Sequence, residues 1–291
     1  MHWVFLALLT ALCEALKDVF SKFNLKNTNP YIVALAMRMF ALPLLLPLLF
    51  FIDIPELGER FFPALLVGGS MNIFITILYL KAIQHSDLSV TVPMVTFSPL
   101  FLLITSPIIV GEFPGYYGIA GIVCIVLGSY MLNLQAVRKG FFAPFKALIK
   151  DKGPRYMLGV AFLWSITANI DKVGIQNSHP IFWVISISTF LFVGMVPVAY
   201  LFARRDLKQL KTKAVALFPV GLFTALTLVF QMLAINLALV AYVISIKRTS
   251  ALMVVVFGWL IFKEKGFTQR IAGAALMLVG VLLITLLNGD G

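Results

Sequence analysis

Two adjacent basic residues, Lys247 and Arg248, lie inside an apolar run that is long enough to cross a bilayer as a helix. One charge near the bilayer centre costs about 2.5–3.5 kcal/mol, so two that faced lipid would cost about 5–7 kcal/mol. The pair lies about two helical turns inside the run, too deep to reach the headgroups easily. We therefore expect both side chains to face a wet cavity, where two cations favour an anion.

The first apolar run carries a polar stripe, because Glu14, Lys17, Asp18 and Lys22 recur at spacings of three and four residues. Such spacing places them on one face of a helix. Glu14 and Lys17 are nearest to mid-membrane, and we expect them to line the cavity; pairing of Glu14 with Lys17 is the alternative. Glu14 or Asp18 is a candidate for proton coupling or for an ion pair with the cations.

A further cation, Arg38, lies about two turns into the second apolar run. Its sequence context fits two roles equally well, namely pairing with an acid of the first run and binding an anion. Weaker candidates for the cavity lining are polar or aromatic residues inside other runs: Asn72, Trp164, Thr167 and Gln231.

The composition excludes a soluble domain, because 61% of the 291 residues are hydrophobic and only 12% are charged. We expect a multi-pass membrane protein without a cleaved signal peptide. The two cysteines and three histidines have no ligand spacing, so neither a disulfide, a metal site nor a cofactor is expected. An enzyme is not expected either, since the run interiors hold no histidine to form a nucleophile–base pair.

The predicted fold is all-α, with ten transmembrane helices in two sets of five. The ten runs are 2–25, 30–52, 61–84, 88–110, 114–136, 154–176, 180–203, 213–236, 240–262 and 267–288. The connection from Arg138 to Arg155 interleaves phenylalanines with lysines, which predicts a short basic amphipathic helix on the membrane surface. We therefore divide the chain into a first repeat (1–137), a linker (138–153) and a second repeat (154–291).

The two halves match each other at offsets of 150 and 152 residues, which pair Lys22 with Lys172, Pro30 with Pro180 and Glu112 with Glu264. Five helices are an odd number, so the second repeat enters the membrane from the opposite side, as in many secondary transporters. Charges kept in both halves are interpreted as architectural. Charges that break the symmetry are the better functional candidates: Glu14, Lys17, Asp18, Arg38, Lys247 and Arg248.

The distribution of basic residues predicts the orientation. Six of the 23 lysines and arginines lie within the runs. Of the other seventeen, Arg60 alone falls on the face with the termini and the even-numbered loops, whereas sixteen fall on the other face. The basic face is expected to be cytoplasmic in the inner or plasma membrane, with both termini outside. The net charge of +11 is thus mainly a topology signal, and nucleic acid is not expected as a partner.

Glycines recur every seven residues in the last run of each half, as Gly121 and Gly128 and as Gly266, Gly273 and Gly280. Small residues let helix backbones approach closely. We interpret these faces as packing seams, either within one chain or between two copies, which leaves a homodimer open.

The repeated five-helix plan, the Phe262-Lys263-Glu264 helix end and the glycine-spaced last helices resemble the drug/metabolite transporter superfamily, EamA type. The resemblance covers nearly the whole chain. The Ser245-Ile246-Lys247-Arg248 element also resembles the ninth helix of the triose-phosphate and nucleotide-sugar branch. That resemblance implies phosphate binding by Lys247 and Arg248. The third and fourth runs lack the further interior lysine of the sugar-phosphate carriers, so a carboxylate or another anion stays open.

From these features we expect an alternating-access secondary transporter of a small polar metabolite that is anionic, either phosphorylated or a carboxylate. Lys247 and Arg248 would hold the anionic group, with Arg38, Lys17 and Glu14 contributing to the site. One alternative is an amino-acid or drug exporter in which Glu14 or Asp18 binds a substrate amine. Another is a translocator of lipids or their head groups.

Overall fold

The computed structural model of the protein describes residues 2–85, 91–134, 142–262 and 271–286. Across these ranges the chain forms α-helices and short 3-10 helices, and no strand occurs in them. The first half contains α1 (His2–Leu25), α2 (Pro30–Leu45), α3 (Phe61–His85), α4 (Ser98–Ile109) and α5 (Tyr116–Leu134). A short helix, α6 (Ala143–Lys150), precedes the second half, which contains α7 (Lys152–Gln176), α8 (Pro180–Ala203), α9 (Ala214–Leu237), α10 (Val240–Lys247), α11 (Ser250–Phe262) and α12 (Ile271–Leu286).

Many of these helices have the length and composition of membrane spans. Among the described residues, five stretches are long and apolar enough to cross a bilayer: Pro30–Phe51, Phe61–Ala82, Lys152–Gln176, Pro180–Asp206 and Ala214–Leu237. Shorter apolar helices cover Pro93–Ile109, Tyr116–Leu132 and Ile271–Leu286. Each of the ten predicted runs contains helical residues, whereas the number of membrane crossings stays a prediction.

The outer surface is strongly apolar. Phe50 is 90% exposed, Val215 is 89% exposed and Ile108 is 77% exposed. Large apolar side chains in contact with water would be costly, and a soluble monomer rarely presents so many of them. The surface therefore fits a hydrocarbon environment.

Helices of one half pack between helices of the other, so the two halves do not form two separate bundles. Helix α1 contacts α9, α2 contacts α8 and α9, α3 contacts α7, and α5 contacts α12. The pairs α1–α9 and α3–α7 are equivalent under the sequence repeat, because each joins the first helix of one half to the third helix of the other. A cavity between these helices is therefore lined by both halves.

The second helix of each half begins in the same way. Asn29 accepts a hydrogen bond from the backbone N–H of Tyr31, and His179 accepts one from that of Ile181. Pro30 and Pro180 follow as the first helical residues, where proline costs no hydrogen bond. The two halves, which match in sequence, thus begin their second helices with the same N-cap hydrogen bond and the same first-turn proline.

Three of the predicted spans are not continuous α-helices. In the second, a 3-10 segment, Leu46–Phe51, follows α2. In the fourth, a 3-10 segment, Val92–Phe97, precedes α4. In the ninth, the helix breaks between α10 and α11, where both the backbone N–H and the hydroxyl of Thr249 bond to the Ile246 carbonyl. Pro93 at the start of the 3-10 segment accounts for the departure from α geometry in the fourth span. The hydrogen bond of the Thr249 hydroxyl accounts for the one in the ninth.

The glycine-bearing faces of α5 and α12 pack against each other within one chain. A Cβ added to Gly121 would be 2.7 Å from the carbonyl oxygen of Gly280, and one added to Gly128 would be 2.5 Å from that of Gly273. Helices α5 and α12 therefore approach so closely that a methyl group at either position would collide with backbone. Gly266 lies outside the described residues, and the homodimer stays a prediction.

The even-numbered loops gather at one end of the molecule. The N–H of Gly58 donates to the carbonyl of Asn177 at 2.9 Å, which joins the second and sixth loops. Near the same end of α7, Lys172 forms an ion pair with Glu112 at 3.2 Å. Glu112 also accepts a hydrogen bond from the N–H of Val240, so it links the fourth loop to the eighth.

The pair Lys172–Glu112 ties the halves together, as its architectural interpretation suggested. Lys172 also donates to the carbonyls of Ile235 and Ala238, and both charged side chains are only 11% exposed. Glu264, the repeat equivalent of Glu112, lies outside the described residues.

Removing only one partner of this pair should destabilise the fold. Lys172→Met leaves the Glu112 carboxylate without its cation, so we expect the free energy of unfolding to fall by about 3–5 kcal/mol. The double variant Glu112→Gln/Lys172→Met should regain part of that loss, since the amide oxygen can still accept from Val240. Denaturant unfolding in detergent micelles measures both, with Lys208→Met, an exposed site, as the control. Equal stability of Lys172→Met and the parent would contradict a stabilising role for the pair.

Candidate functional site

A cavity of about 200 Å³ lies between the two halves. Its lining comes from the first four helices of the first half and from α7, α8, α9 and α10 of the second. Six charged side chains line it: Glu14, Lys17, Arg38, Asp171, Lys247 and Arg248. Four of these are basic and two are acidic, so the cavity has an excess of positive charge.

A second, shallow groove of about 440 Å³ is larger but chemically different. It lies between α3 and α8 and is lined by Ser70, Ile73, Phe190, Val193 and Gly194. Because these groups include no charge, the groove cannot recognise an ionic solute, and the charged cavity is the better candidate site.

Glu14 lies between two cations. Its Oε1 is 2.7 Å from Nζ of Lys17, and its Oε2 is 3.6 Å from Nζ of Lys247. Lys247 also donates a 2.8 Å hydrogen bond to Oε1 of Gln231. Lys247 is therefore held by two groups already, and Glu14 and Gln231 act as its positioning residues.

Arg248 is held differently, because the direct contacts of its guanidinium among the described residues are with neutral groups. Its guanidinium donates two hydrogen bonds to the Ser98 hydroxyl, at 2.6 and 3.2 Å, and lies 5.8 Å from the ring centroid of Trp164. Across the described ranges, no carboxylate forms an ion pair with it. The hydroxyl and the aromatic face orient the guanidinium without neutralising it, as suits a group that binds an anion.

The position of Arg248 is informative, because it joins the two broken helices. Arg248 follows α10 at the break in the ninth span, and Ser98 is the first residue of α4 after the break in the fourth. Ser98 matches Ser250 at the offset of 152, so the two breaks occupy equivalent places in the repeat. Interrupted helices at matching positions of two inverted repeats are where secondary transporters bind substrate.

Arg38 and Asp171 are the remaining charges. Neither forms an ion pair in the part of the chain that the structure covers. Asp171 accepts a 3.0 Å hydrogen bond on Oδ1 from the indole Nε1 of Trp183. Thr227, 3% exposed, also lines the cavity, and its hydroxyl has no hydrogen-bond partner among the described groups.

Comparison with known proteins identifies the family. A sequence profile described as the EamA-like transporter family matches residues 1–134 and again residues 152–286. The chain belongs to the EamA-like transporter family. It is therefore a multi-pass membrane protein of a family whose members transport small solutes. The match does not distinguish the triose-phosphate and nucleotide-sugar branch.

Structural comparison shows that the overall fold also occurs in a solved structure. A solved structure titled only as the crystal structure of a protein aligns with a TM-score of 0.80 and 11% sequence identity. The alignment covers 99% of this chain and 97% of the other. At that identity the likeness concerns the fold alone. No curated protein matches the sequence significantly.

Nearly all the residues predicted for the site of this EamA protein lie together. Of the predicted set, those that line the cavity are Glu14, Lys17, Arg38, Asn72, Trp164, Thr167, Gln231, Lys247 and Arg248. Asp18 does not line it. Its side chain is 50% exposed and lies 3.6 Å from Lys17.

Asp171 and Ser98 line the cavity and were missed by the sequence interpretation. The sequence did contain a signal for Asp171. At the offset of 150, Asp171 aligns with Ser21 of the first half, so it breaks the repeat symmetry as the predicted site residues do. It was overlooked because its neighbour Lys172 matches Lys22. Ser98 matches Ser250 in the second half, and residues kept in both halves were interpreted as architectural.

Proposed function

We propose that this EamA-family protein is an alternating-access secondary transporter of a small polar metabolite that carries an anionic group. The observation that carries the proposal is the guanidinium of Arg248, oriented by Ser98 and Trp164 at the meeting point of the two broken helices, with no carboxylate partner among the described residues. Arg38 would assist from α2, and Lys247 would add charge once a ligand competes with Glu14.

The proposal includes a topology. Ten crossings in two inverted sets of five, residues 1–137 and 154–291 joined by a linker at 138–153, would place the cavity near the mid-membrane. The gathering of the even-numbered loops at one end supports it. The basic loops would face the cytoplasm and both termini the opposite side.

Size and charge together narrow the solute class. The cavity volume of about 200 Å³ lies below the range of about 300–1,000 Å³ that is usual for drug-sized ligands. This favours a small carboxylate or phosphate ester over a drug. The ammonium groups of Lys17 and Lys247 already bind Glu14, and Asp18 lies outside the cavity, so neither acid is well placed to bind a substrate amine.

Uptake into proteoliposomes tests this function. The purified chain is reconstituted and counterflow is measured for a panel of small carboxylates, phosphate monoesters, amino acids and cationic drugs. Anion-bearing metabolites should exchange, and lipid scrambling in the same vesicles should equal that of protein-free vesicles. Transport of cationic drugs alone, or scrambling without solute exchange, would overturn the proposal.

A further inference from the structure

The connection between α8 and α9 carries a cluster of exposed cations. Residues 204–213 read Arg-Arg-Asp-Leu-Lys-Gln-Leu-Lys-Thr-Lys, so five bases accompany one acid. Four of the cations are exposed at the surface, and we call them the basic patch: Arg204, Arg205, Lys208 and Lys211. None of the four lines the charged cavity, so the patch is a separate feature of the molecule.

The one acid of this connection is engaged by amides rather than by the patch. Asp206 accepts a 2.8 Å hydrogen bond on Oδ2 from Nδ2 of Asn29 and a 2.9 Å bond on Oδ1 from Nε2 of Gln209. Both carboxylate oxygens therefore point at neutral donors, one of which belongs to the loop between α1 and α2. The positive charge of the patch stays available at the surface.

The backbone beneath the patch is fixed in place. Lys213, the fifth base, donates to the carbonyl of Asn27 and to the hydroxyl of Thr28, again in the loop between α1 and α2. Leu207 and Leu210 are partly buried against an apolar cluster that includes residues of α2 and α8. The leucines thus point inward while the basic side chains point outward, and the cations are presented on an ordered frame.

Apolar side chains flank the patch in the chain on both sides. Leu201 is 75% exposed and Phe202 is 51% exposed at the end of α8, and Val215 is 89% exposed at the start of α9. In a membrane protein such side chains contact acyl chains, so the patch lies about one helical turn beyond the hydrocarbon, at headgroup level. The Arg204 guanidinium lies 4.9 Å from the ring centroid of Tyr200, an aromatic residue of the type enriched at this boundary.

We propose that the basic patch is a binding site for an anionic phospholipid. The cations hold the phosphate, to which the two arginines can bond through paired donors, and the acyl chains cover the exposed apolar residues beside the patch. Four to eight basic residues directly beside a membrane helix are typical of such sites. A zwitterionic phospholipid brings its own ammonium group and no net charge, and a free phosphate has no chains for the apolar flanks. The site does not depend on which solute the protein carries.

Lipid binding by the purified full-length protein in detergent tests the inference. Phosphatidylglycerol and phosphatidylcholine with identical acyl chains are titrated at low ionic strength, and bound lipid is counted by native mass spectrometry. The parent should prefer phosphatidylglycerol by at least about 25-fold, because each basic residue near an anionic headgroup contributes about fivefold. Lys208→Gln/Lys211→Gln should lower the affinity for phosphatidylglycerol by about 25-fold and leave that for phosphatidylcholine unchanged. Arg205→Gln/Lys208→Gln repeats the measurement with another exposed pair.

A matched variant separates a site from general attraction. Lys152→Gln/Arg155→Gln removes the same charge from exposed positions at the start of α7, and its affinity for phosphatidylglycerol should change by less than about threefold. Because the segment joins the two halves, phosphatidylglycerol should also raise the unfolding temperature of the parent, whereas glycerol phosphate should not. Equal affinity of the parent for both lipids, equal losses in the patch variants and the α7 variant, or equal stabilisation by glycerol phosphate would overturn the proposal.

Discussion

Arg248→Ala is expected to reduce counterflow of an anionic substrate by about 100-fold, which makes it among the most damaging substitutions in the cavity. The variant removes a cation that the described structure leaves without a carboxylate partner, together with the planar donor pair that suits a carboxylate or phosphate. Two charge-assisted hydrogen bonds at about 1.5 kcal/mol each account for a loss of that size. Initial rates in proteoliposomes at solute concentrations below half-saturation measure it.

Two controls separate recognition from general damage. Arg248→Lys keeps the charge but loses the fork that bonds Ser98, so we expect it to recover only a part of the rate. Arg155→Ala removes an exposed arginine at the start of α7 and should transport as the parent does. Parent-like rates in Arg248→Ala would contradict the anion-site assignment.

Glu14→Gln is expected to abolish accumulation driven by a proton gradient while solute exchange continues. Glu14 is the acid that shares Lys247 with the proposed substrate site, so a bound anion would compete with it for that ammonium group. Released from Lys247, the carboxylate would keep Lys17 as an ammonium partner but would be easier to protonate, because one of its two cations is lost. A proton bound there in exchange for the solute would couple the two fluxes. A glutamine cannot carry the proton, so accumulation should fall to the level of vesicles without a gradient.

Asp18→Asn provides the matched comparison, because Asp18 lies beside Lys17 but outside the cavity lining. We expect it to accumulate solute as the parent does. Loss of gradient-driven uptake in Asp18→Asn with retention in Glu14→Gln would assign the coupling to the other acid. A parent protein that shows no response to a proton gradient would exclude proton coupling altogether.

Composition and periodicity were sufficient to predict the general architecture. Apolar runs of membrane length predicted helices, and the recurring glycines predicted a close seam, which proved to join α5 to α12. Local contacts were predictable as well: the spacing of Glu14 and Lys17 placed them one turn apart, and they form an ion pair. These features depend on neighbours along the chain.

Contacts between the two halves could not be predicted from the sequence. Nothing in the spacing of residues indicates that Lys247 reaches Glu14, or that Arg248 bonds to Ser98, 150 residues earlier in the chain. The break between α10 and α11 was also missed, because the surrounding residues are apolar and the deciding bond is made by the side chain of Thr249. Such features follow from the packing of whole helices.

The most direct measurement of the central claim is the labelling of a single thiol in the cavity by reagents of opposite charge. Asn72 lines the cavity on α3, so Asn72→Cys is made after Cys13 and Cys124 are replaced by alanine. Anionic and cationic methanethiosulfonates of similar size are then compared in membranes. A water-accessible cavity with excess positive charge should react with the anionic reagent faster by about tenfold, and Arg248→Ala should remove most of that preference. A thiol that reacts with neither reagent, or faster with the cation, would contradict the account.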